Sequence, residues 1–254
     1  MKEAIKLELR KIENEYGVRI LHAVESGSRA WGFASPDSDY DVRFIYARPM
    51  SDYLRLNEPR DVIEWKLDEV LDINGWDLRK ALKHMAQANA TLFEWNNSPV
   101  VYETTPEWDR VRALSHEYFS EKVAVNHYYG TAASTWARYL TGEAVKYKKY
   151  FYALRPLLAA QYIEQCHKEP PVLFTELLKM DLEPSLRLAI EKLLAVKKET
   201  TEAELLPHIP EIQGFIRDEI LRQKAIGASM ADDRNYDWTA LDRIFADIIC
   251  PTAE

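Results

Sequence analysis

The sequence predicts an α/β (α+β) chain, with a small mixed-sheet domain over residues 1–105 followed by an all-helical domain over residues 106–254. Three observations carry this expectation. Short segments rich in β-branched and aromatic residues, separated by Gly, Ser and Pro, crowd the first third of the chain. Helical periodicity begins at Trp76 and dominates beyond about residue 105. No internal repeat links the two parts, so separate α/β and helical regions are the simplest organisation.

Taken in order, Lys2 to Tyr16 sets Ile5, Leu7, Leu9 and Ile12 among alternating charges, the pattern of an amphipathic surface helix. Val18 to Val24 (VRILHAV) and Tyr40 to Tyr46 (YDVRFIY) read as strands, and Asp61 to Leu67 and Glu69 to Ile73 as shorter ones about a turn. From Trp76 a helix places Leu78, Leu82 and Met85 on one side. Pro106 suits the first turn of a helix to Phe119. Further helices are expected over Tyr118 to Leu140, Val145 to His167 (interrupted or bent at Pro156), Pro184 to Val196, Ile209 to Ile226 and Trp238 to Ile249.

Composition narrows the classes of function. At 47% hydrophobic and 29% charged the chain is a globular one, and it has no run of eighteen apolar residues that would cross a membrane. Met1 to Tyr16 lacks the apolar stretch of a signal peptide. Cys166 and Cys250, neither in a CxxC pair, fit a reducing cytosol, so a cytoplasmic protein is expected. The net charge of −8 repels polyanions, so a small nucleotide is the easier partner and any RNA must be met through a local basic patch. The sequence specifies no oligomeric state.

Chemistry concentrates in Gly27 to Arg43, GSRAWGFASPDSDYDVR. Asp39 and Asp41 stand two apart on an expected strand and therefore share a face. Two carboxylates so close repel one another, and Mg²⁺, which prefers carboxylate and phosphate oxygens, removes the repulsion. The pair thus implies a nucleoside triphosphate such as ATP as a partner. Upstream, Gly27 allows close approach of the backbone to a phosphate, Ser28 offers a hydroxyl and an N–H, and Arg29 a guanidinium. Asp37 reads as a turn residue. Arg43, on the face of Asp41, suits a partner that orients the carboxylates or a surface ion pair.

Strand, Gly-Ser turn, short excursion, then a strand bearing two aspartates: over residues 18–46 this layout resembles the polymerase-beta nucleotidyltransferase superfamily. The run GSRAWGFASPDSDYDVRFIY resembles more narrowly the RNA repair pathway DNA polymerase beta family of nucleotidyltransferases. So do DINGWDLRKALKHMAQANATLFEWNNSP (Asp72 to Pro99) and KKYFYALRPLLAA (Lys148 to Ala160). The resemblance covers most of residues 18–165, and the tail after about 170 carries no such motif.

The resemblance implies a nucleotidyltransferase domain with a third carboxylate on a neighbouring strand. Asp72 is the candidate, with Asp68 and Asp77 as rivals better explained by a turn and by a helix N-terminus. It implies two Mg²⁺ (or Mn²⁺) ions at Asp39, Asp41 and Asp72, and transfer of NMP from an NTP to an acceptor hydroxyl with release of pyrophosphate. The acceptor is an RNA 3′ end, a protein or a small molecule. Lys148, Tyr152 and Arg155, spaced for one helix face with Lys149 beside it, read either as a basic wall for triphosphate or RNA, or as a solvated helix face. Glu94 reads as structural. The scattered histidines lack zinc-like spacing, and the Tyr and Trp of the helical half read mainly as core. The alternative is a non-catalytic nucleotide-binding or antitoxin-like module of the same fold. The presence of Gly27, Ser28, Asp39 and Asp41 together favours an enzyme.

Overall fold

The computed structural model describes residues 1–35, 38–67, 70–197 and 205–250. The chain forms two compact units, Met1–Phe119 with Arg234–Glu254, and Ser120–Asp233. Up to Phe119 the first unit runs α1 (Lys2–Tyr16), β1 (Arg19–Ser26), α2 (Gly27–Trp31), β2 (Tyr40–Ala47), α3 (Met50–Tyr53), β3 (Val62–Leu67), β4 (Leu71–Asp77), α4 (Leu78–Ala86), α5 (Ala90–Asn96), β5 (Val101–Thr104) and α6 (Pro106–Ser115). The five strands form one mixed sheet in the order β3-β4-β2-β1-β5. Only β2 and β4 are parallel, and every other pairing is antiparallel.

Strand periodicity gives the sheet two unlike faces. One buries Ile20, Val42, Phe44, Tyr46, Ile63, Leu71 and Ile73 against Ile5, Leu9 and Ile12 of α1. Those three are one apolar stripe at helical spacing. Leu7 is off the stripe and exposed, so it is not part of the core the sequence suggested. Phe44 faces Gly75 in the parallel register, where a Cβ would overlap the Phe44 ring. The other face meets α4, α5 and α6. There Trp76 stacks against Trp95 and His84, and a register shift between Ile20 and His22 turns the His22 ring toward Trp108 of α6. The helices begin on side-chain caps: Asp77 accepts from Arg79 N, Asn89 from Thr91 N and Thr105 from Trp108 N.

The second unit is α7 (Glu121–Tyr139), β6 (Val145–Lys146), α8 (Lys148–Cys166), α9 (Phe174–Leu177), α10 (Pro184–Lys197), β7 (Leu205–Leu206) and α11 (Pro210–Ser229). It is helical apart from the short antiparallel pair of β6 and β7. α8 continues through Pro156 rather than breaking there, with Ala153 to Ala160 fully sequestered around the missing N–H. The chain then returns to the first unit as α12 (Thr239–Ile249), which buries Leu241, Ile244 and Ile248 beside α4 and α6.

The division therefore falls after Phe119 and not near residue 105. α6 is part of the first unit because Trp108 is buried on β1, 5.4 Å from the His22 ring. α12 joins it through an Arg110–Asp247 ion pair at 2.5 Å and the Tyr53–Phe245 contact. Asp37, Asp68 and Glu69, where the sequence suggested turns and a strand start, lie outside the described residues.

His22 is buried with Nδ1 at 3.2 Å from Thr104 Oγ1, and burial pushes its pKa down from 6.5 to about 4. The unfolded chain thus takes up a proton that the folded chain refuses between those two values. Stability is complete above pH 6.5 and is lost as pH falls through the window, by about 2.5 kcal/mol at pH 4.5 for this group. Urea unfolding at pH 7 and pH 4.5 should show an acid loss smaller by about that amount in His22→Gln than in the wild type. Equal losses would remove His22 as an acid-labile element.

Candidate active site

The site is built at the end of the sheet where β2 and β4 both begin. Their parallel register sets Asp41 directly beside Asp72 and Arg43 beside Asn74. Asp41 and Arg43 lie on one face of β2, Asp72 and Asn74 on the same face of β4, opposite the face that α1 covers. Asp39 stands just before β2 and is exposed.

Adjacent carboxylates on neighbouring strands repel, and Arg43 supplies the opposing charge. Its Nη2 lies 2.6 Å from Asp72 Oδ2 and 3.3 Å from Asp41 Oδ1, while Nη1 donates to the Asp72 and Val42 carbonyls. Asn74 Nδ2 holds Asp72 Oδ1 at 3.3 Å. Burial pushes the Asp41 carboxyl above its ordinary pKa. Arg43 pulls it down, and the charges of Asp72 and Asp39 add to the upward push. Among the described residues no three His, Cys, Asp or Glu side chains are gathered as a ready-made metal cage. Between Asp41 and Asp72 the positive charge is the guanidinium of Arg43. The oxygens themselves are hard donors of the kind Mg²⁺ or Mn²⁺ takes, and the missing side chain at Gly27 is what makes room for Asp41 Oδ2, so the residues fit such an ion.

That space comes from the turn after β1. Gly27 has φ +61°, and a Cβ there would overlap Asp41 Oδ2. A side chain at this position is excluded twice, by backbone conformation and by the carboxylate. Ser28 follows in α2, partly exposed, its carbonyl accepting from Phe33 N. Arg29 is turned to the chain ahead of β2. Its Nε donates to the Asp39 carbonyl at 3.0 Å, Nη2 to the Ser38 carbonyl at 2.5 Å, and the guanidinium lies 3.8 Å above the Tyr40 ring. Arg29 therefore fixes the backbone that carries Asp39.

The structure brings Gly27, Ser28, Arg29, Asp39, Asp41 and Asp72 to one end of the sheet. Asp77, the rival to Asp72, is at the far end of β4. It caps α4 and accepts from Tyr53 at 3.0 Å, a structural assignment. Lys148, Lys149, Tyr152 and Arg155 belong to the second unit. Lys149 Nζ lies 4.1 Å from the Tyr139 ring and 5.1 Å from that of Tyr152. Arg155 is buried and donates Nε to the Val172 carbonyl, so it does not share an open face with Lys148 and Tyr152. Glu94 lies inside α5.

Glu25, Tyr102 and Asn74 take part in the site although the sequence did not single them out. Glu25 is 1% exposed; its Oε1 accepts from Asp41 N at 2.8 Å and its Oε2 from the Tyr102 hydroxyl. Burial pushes the Glu25 carboxyl upward, against the pull of these two hydrogen bonds. The available signal was an acid directly after the apolar pair Ala23 and Val24 in an expected strand.

Residues 1–247 match the model of the RNA repair pathway DNA polymerase beta family. Over 251 residues the chain is 42% identical to an uncharacterized protein, YcgL, of Bacillus subtilis (strain 168), covering 98% of this chain and 96% of that one. Among solved structures, a nucleotidyltransferase-like protein from Exiguobacterium sibiricum 255-15 aligns with a TM-score of 0.32 and 13% identity, covering 89% of this chain and 75% of that one.

Replacing Arg43 with Met leaves Asp41 and Asp72 without their counter-charge, at an expected cost of about 2 kcal/mol at neutral pH. Mn²⁺ should then stabilise the variant more than the wild type, and more than NaCl of equal ionic strength, in thermal unfolding. Equal responses of the two proteins to Mn²⁺ would show that Arg43 does not occupy the electrostatic position assigned to it.

Proposed function

We propose that this chain, which belongs to the RNA repair pathway DNA polymerase beta family, transfers a nucleoside monophosphate from an NTP to an acceptor hydroxyl and releases pyrophosphate. The observation that carries the reading is the placing of Asp41 beside Asp72 across parallel β2 and β4, with the Gly27 backbone against the Asp41 carboxylate. Such a corner of carboxylates beside a turn without a side chain suits a phosphate chain approaching with its cations.

Asp39, Asp41 and Asp72 would hold Mg²⁺ or Mn²⁺, two ions in the full form, supplying charge that lowers the pKa of the acceptor hydroxyl and offsets that on the departing pyrophosphate. Gly27 lets the triphosphate reach the main chain, and Ser28 offers its hydroxyl. Arg29 contributes by holding the carbonyls of Ser38 and Asp39, which keeps the Asp39 side chain at the mouth of the site. Asp72 Oδ1, steadied by Asn74, is the oxygen assigned to take the proton of the acceptor hydroxyl. The protein supplies position and charge, and little covalent chemistry is asked of it.

The acceptor classes are an RNA 3′ end, a protein side chain and a small molecule. RNA has the support of the family description, and the net charge of −8 requires that it be held locally rather than along a duplex.

The test is transfer of label from each of four α-³²P NTPs, with Mg²⁺, into RNA, protein and small-molecule fractions. Label should appear with the wild type and vanish in Asp39→Ala. Persistence of label in that variant would remove the assignment, and NTP-dependent thermal stabilisation with no label anywhere would favour a binding module. Asp72→Asn should retain NTP binding while losing transfer by roughly a hundredfold or more. Asp77→Ala should instead lose about 1 kcal/mol of stability with transfer intact. The reverse outcome would place the third carboxylate at Asp77.

A further inference from the structure

We infer that Glu25 and Tyr102 are positioning residues for the Asp41 carboxylate, a buried strut that runs from β5 through β1 to the catalytic end of β2. The inference rests on the nucleotidyltransferase reading of that site and adds two residues to it.

The need for a strut follows from the turn. β1 and β2 pair in register up to Ser26 opposite Asp41, and there Gly27, at positive φ, takes the chain off the sheet into α2. The last amide of β2 at this edge is Asp41 N, and it meets the Glu25 side chain, donating to Oε1 at 2.8 Å. The other oxygen, Oε2, accepts from the Tyr102 hydroxyl. Glu25 is itself fixed at the main chain, with its N donating to the Val100 carbonyl at 2.9 Å and its carbonyl accepting from Ser98 Oγ at 2.6 Å.

A carboxylate buried to 1% exposure is costly in a strand whose neighbours are apolar, and a leucine would fill the same space. What the glutamate adds is a fixed Asp41 backbone. With that amide held, the Asp41 side chain is confined between Arg43, which holds Oδ1, and the Gly27 backbone, which leaves room for Oδ2. With the amide released, the same side chain can swing away from Asp72 and Asp39. Residues that orient a metal-binding carboxylate without touching the ion commonly affect affinity tenfold to a hundredfold.

The test measures Mn²⁺ affinity by electron paramagnetic resonance with a non-hydrolysable NTP analogue of each base. Folding is followed by circular dichroism, and Asp41→Ala serves as the control. Glu25→Leu should remain folded and bind Mn²⁺ roughly tenfold or more weakly. Glu25→Gln keeps an acceptor for Asp41 N and a partner for Tyr102, and should restore affinity to within about threefold of the wild type. Tyr102→Phe, which leaves Glu25 in place but frees Oε2, should fall between them; it carries the test if Glu25→Leu does not fold. Wild-type affinity in Glu25→Leu, or in Tyr102→Phe when it stands in, would overturn the strut and leave the catalytic reading standing. A wild type that binds Mn²⁺ no better than Asp41→Ala would overturn both.

Discussion

The parallel pairing of β2 with β4 sets the terms for everything else at this end of the molecule. In that register Asp41 and Asp72 are neighbours on one face of the sheet, where two carboxylates repel and the Asp72 charge adds to the upward push of burial on the Asp41 carboxyl. The surrounding residues are arranged about this repulsion. Arg43, two residues along the same strand and on the same face, reaches back to both. Asn74, two residues beyond Asp72, steadies its other oxygen. Gly27 gives up its side chain and adopts positive φ so that the backbone can lie against Asp41. Period-two geometry is what allows one register to align all of these groups.

The same periodicity explains why the site does not disturb the core. Residues alternating with the carboxylates, Val42 and Phe44 on β2 and Leu71 and Ile73 on β4, point to the opposite face and are buried against α1. The polar cluster therefore occupies one end of one face, and the apolar face supplies the cohesion. On the polar side, Trp76 and Trp95 close the sheet farther along β4, away from Asp72. Asp77, at the other end of that strand, spends its charge on an α4 cap and on Tyr53.

Much of this was legible in the chain itself, and what was not has identifiable causes. The strands through Ile20 and Phe44 and the place of Asp77 at a helix N-terminus follow from local pattern, whereas the helix expected from Trp76 begins only at Leu78, because Trp76 and Asp77 still pair with Ile45 and Tyr46 in β4. Local pattern could not find Glu25, because its role depends on Tyr102 and Asp41, residues distant in sequence that only the sheet order β2-β1-β5 brings together. Nor could it orient Arg29: a guanidinium beside a Gly-Ser turn suggests phosphate, but the carbonyls of Ser38 and Asp39 and the Tyr40 ring hold it. The basic helix shows the same limit, since i, i+4, i+7 spacing does not reveal that Val172 covers Arg155. The unit boundary was hidden because α6 and α12 are helices by pattern yet belong, by packing on β1 and α4, with the sheet.

The counter-charge at Arg43 has a consequence for how such a site is kept ready. A carboxylate pair whose only compensation came from a bound ion would make folding depend on that ion, since ligand affinity then becomes folding free energy. A guanidinium within the chain offsets one of the pair's two charges in the folded protein, and its planar donors reach both carboxylates and two backbone carbonyls at once. On the proposed function, a cation arriving with a triphosphate would compete with Arg43 for oxygens already held in register, and the affinity of the site would be set by the difference between the two. Holding Asp41 from its amide side, as Glu25 does, keeps that carboxylate in place through the exchange. The features that cost stability here, a glycine that loses more backbone freedom on folding than other residues and a buried acid, thus serve one end: a charged corner whose geometry is fixed by the sheet.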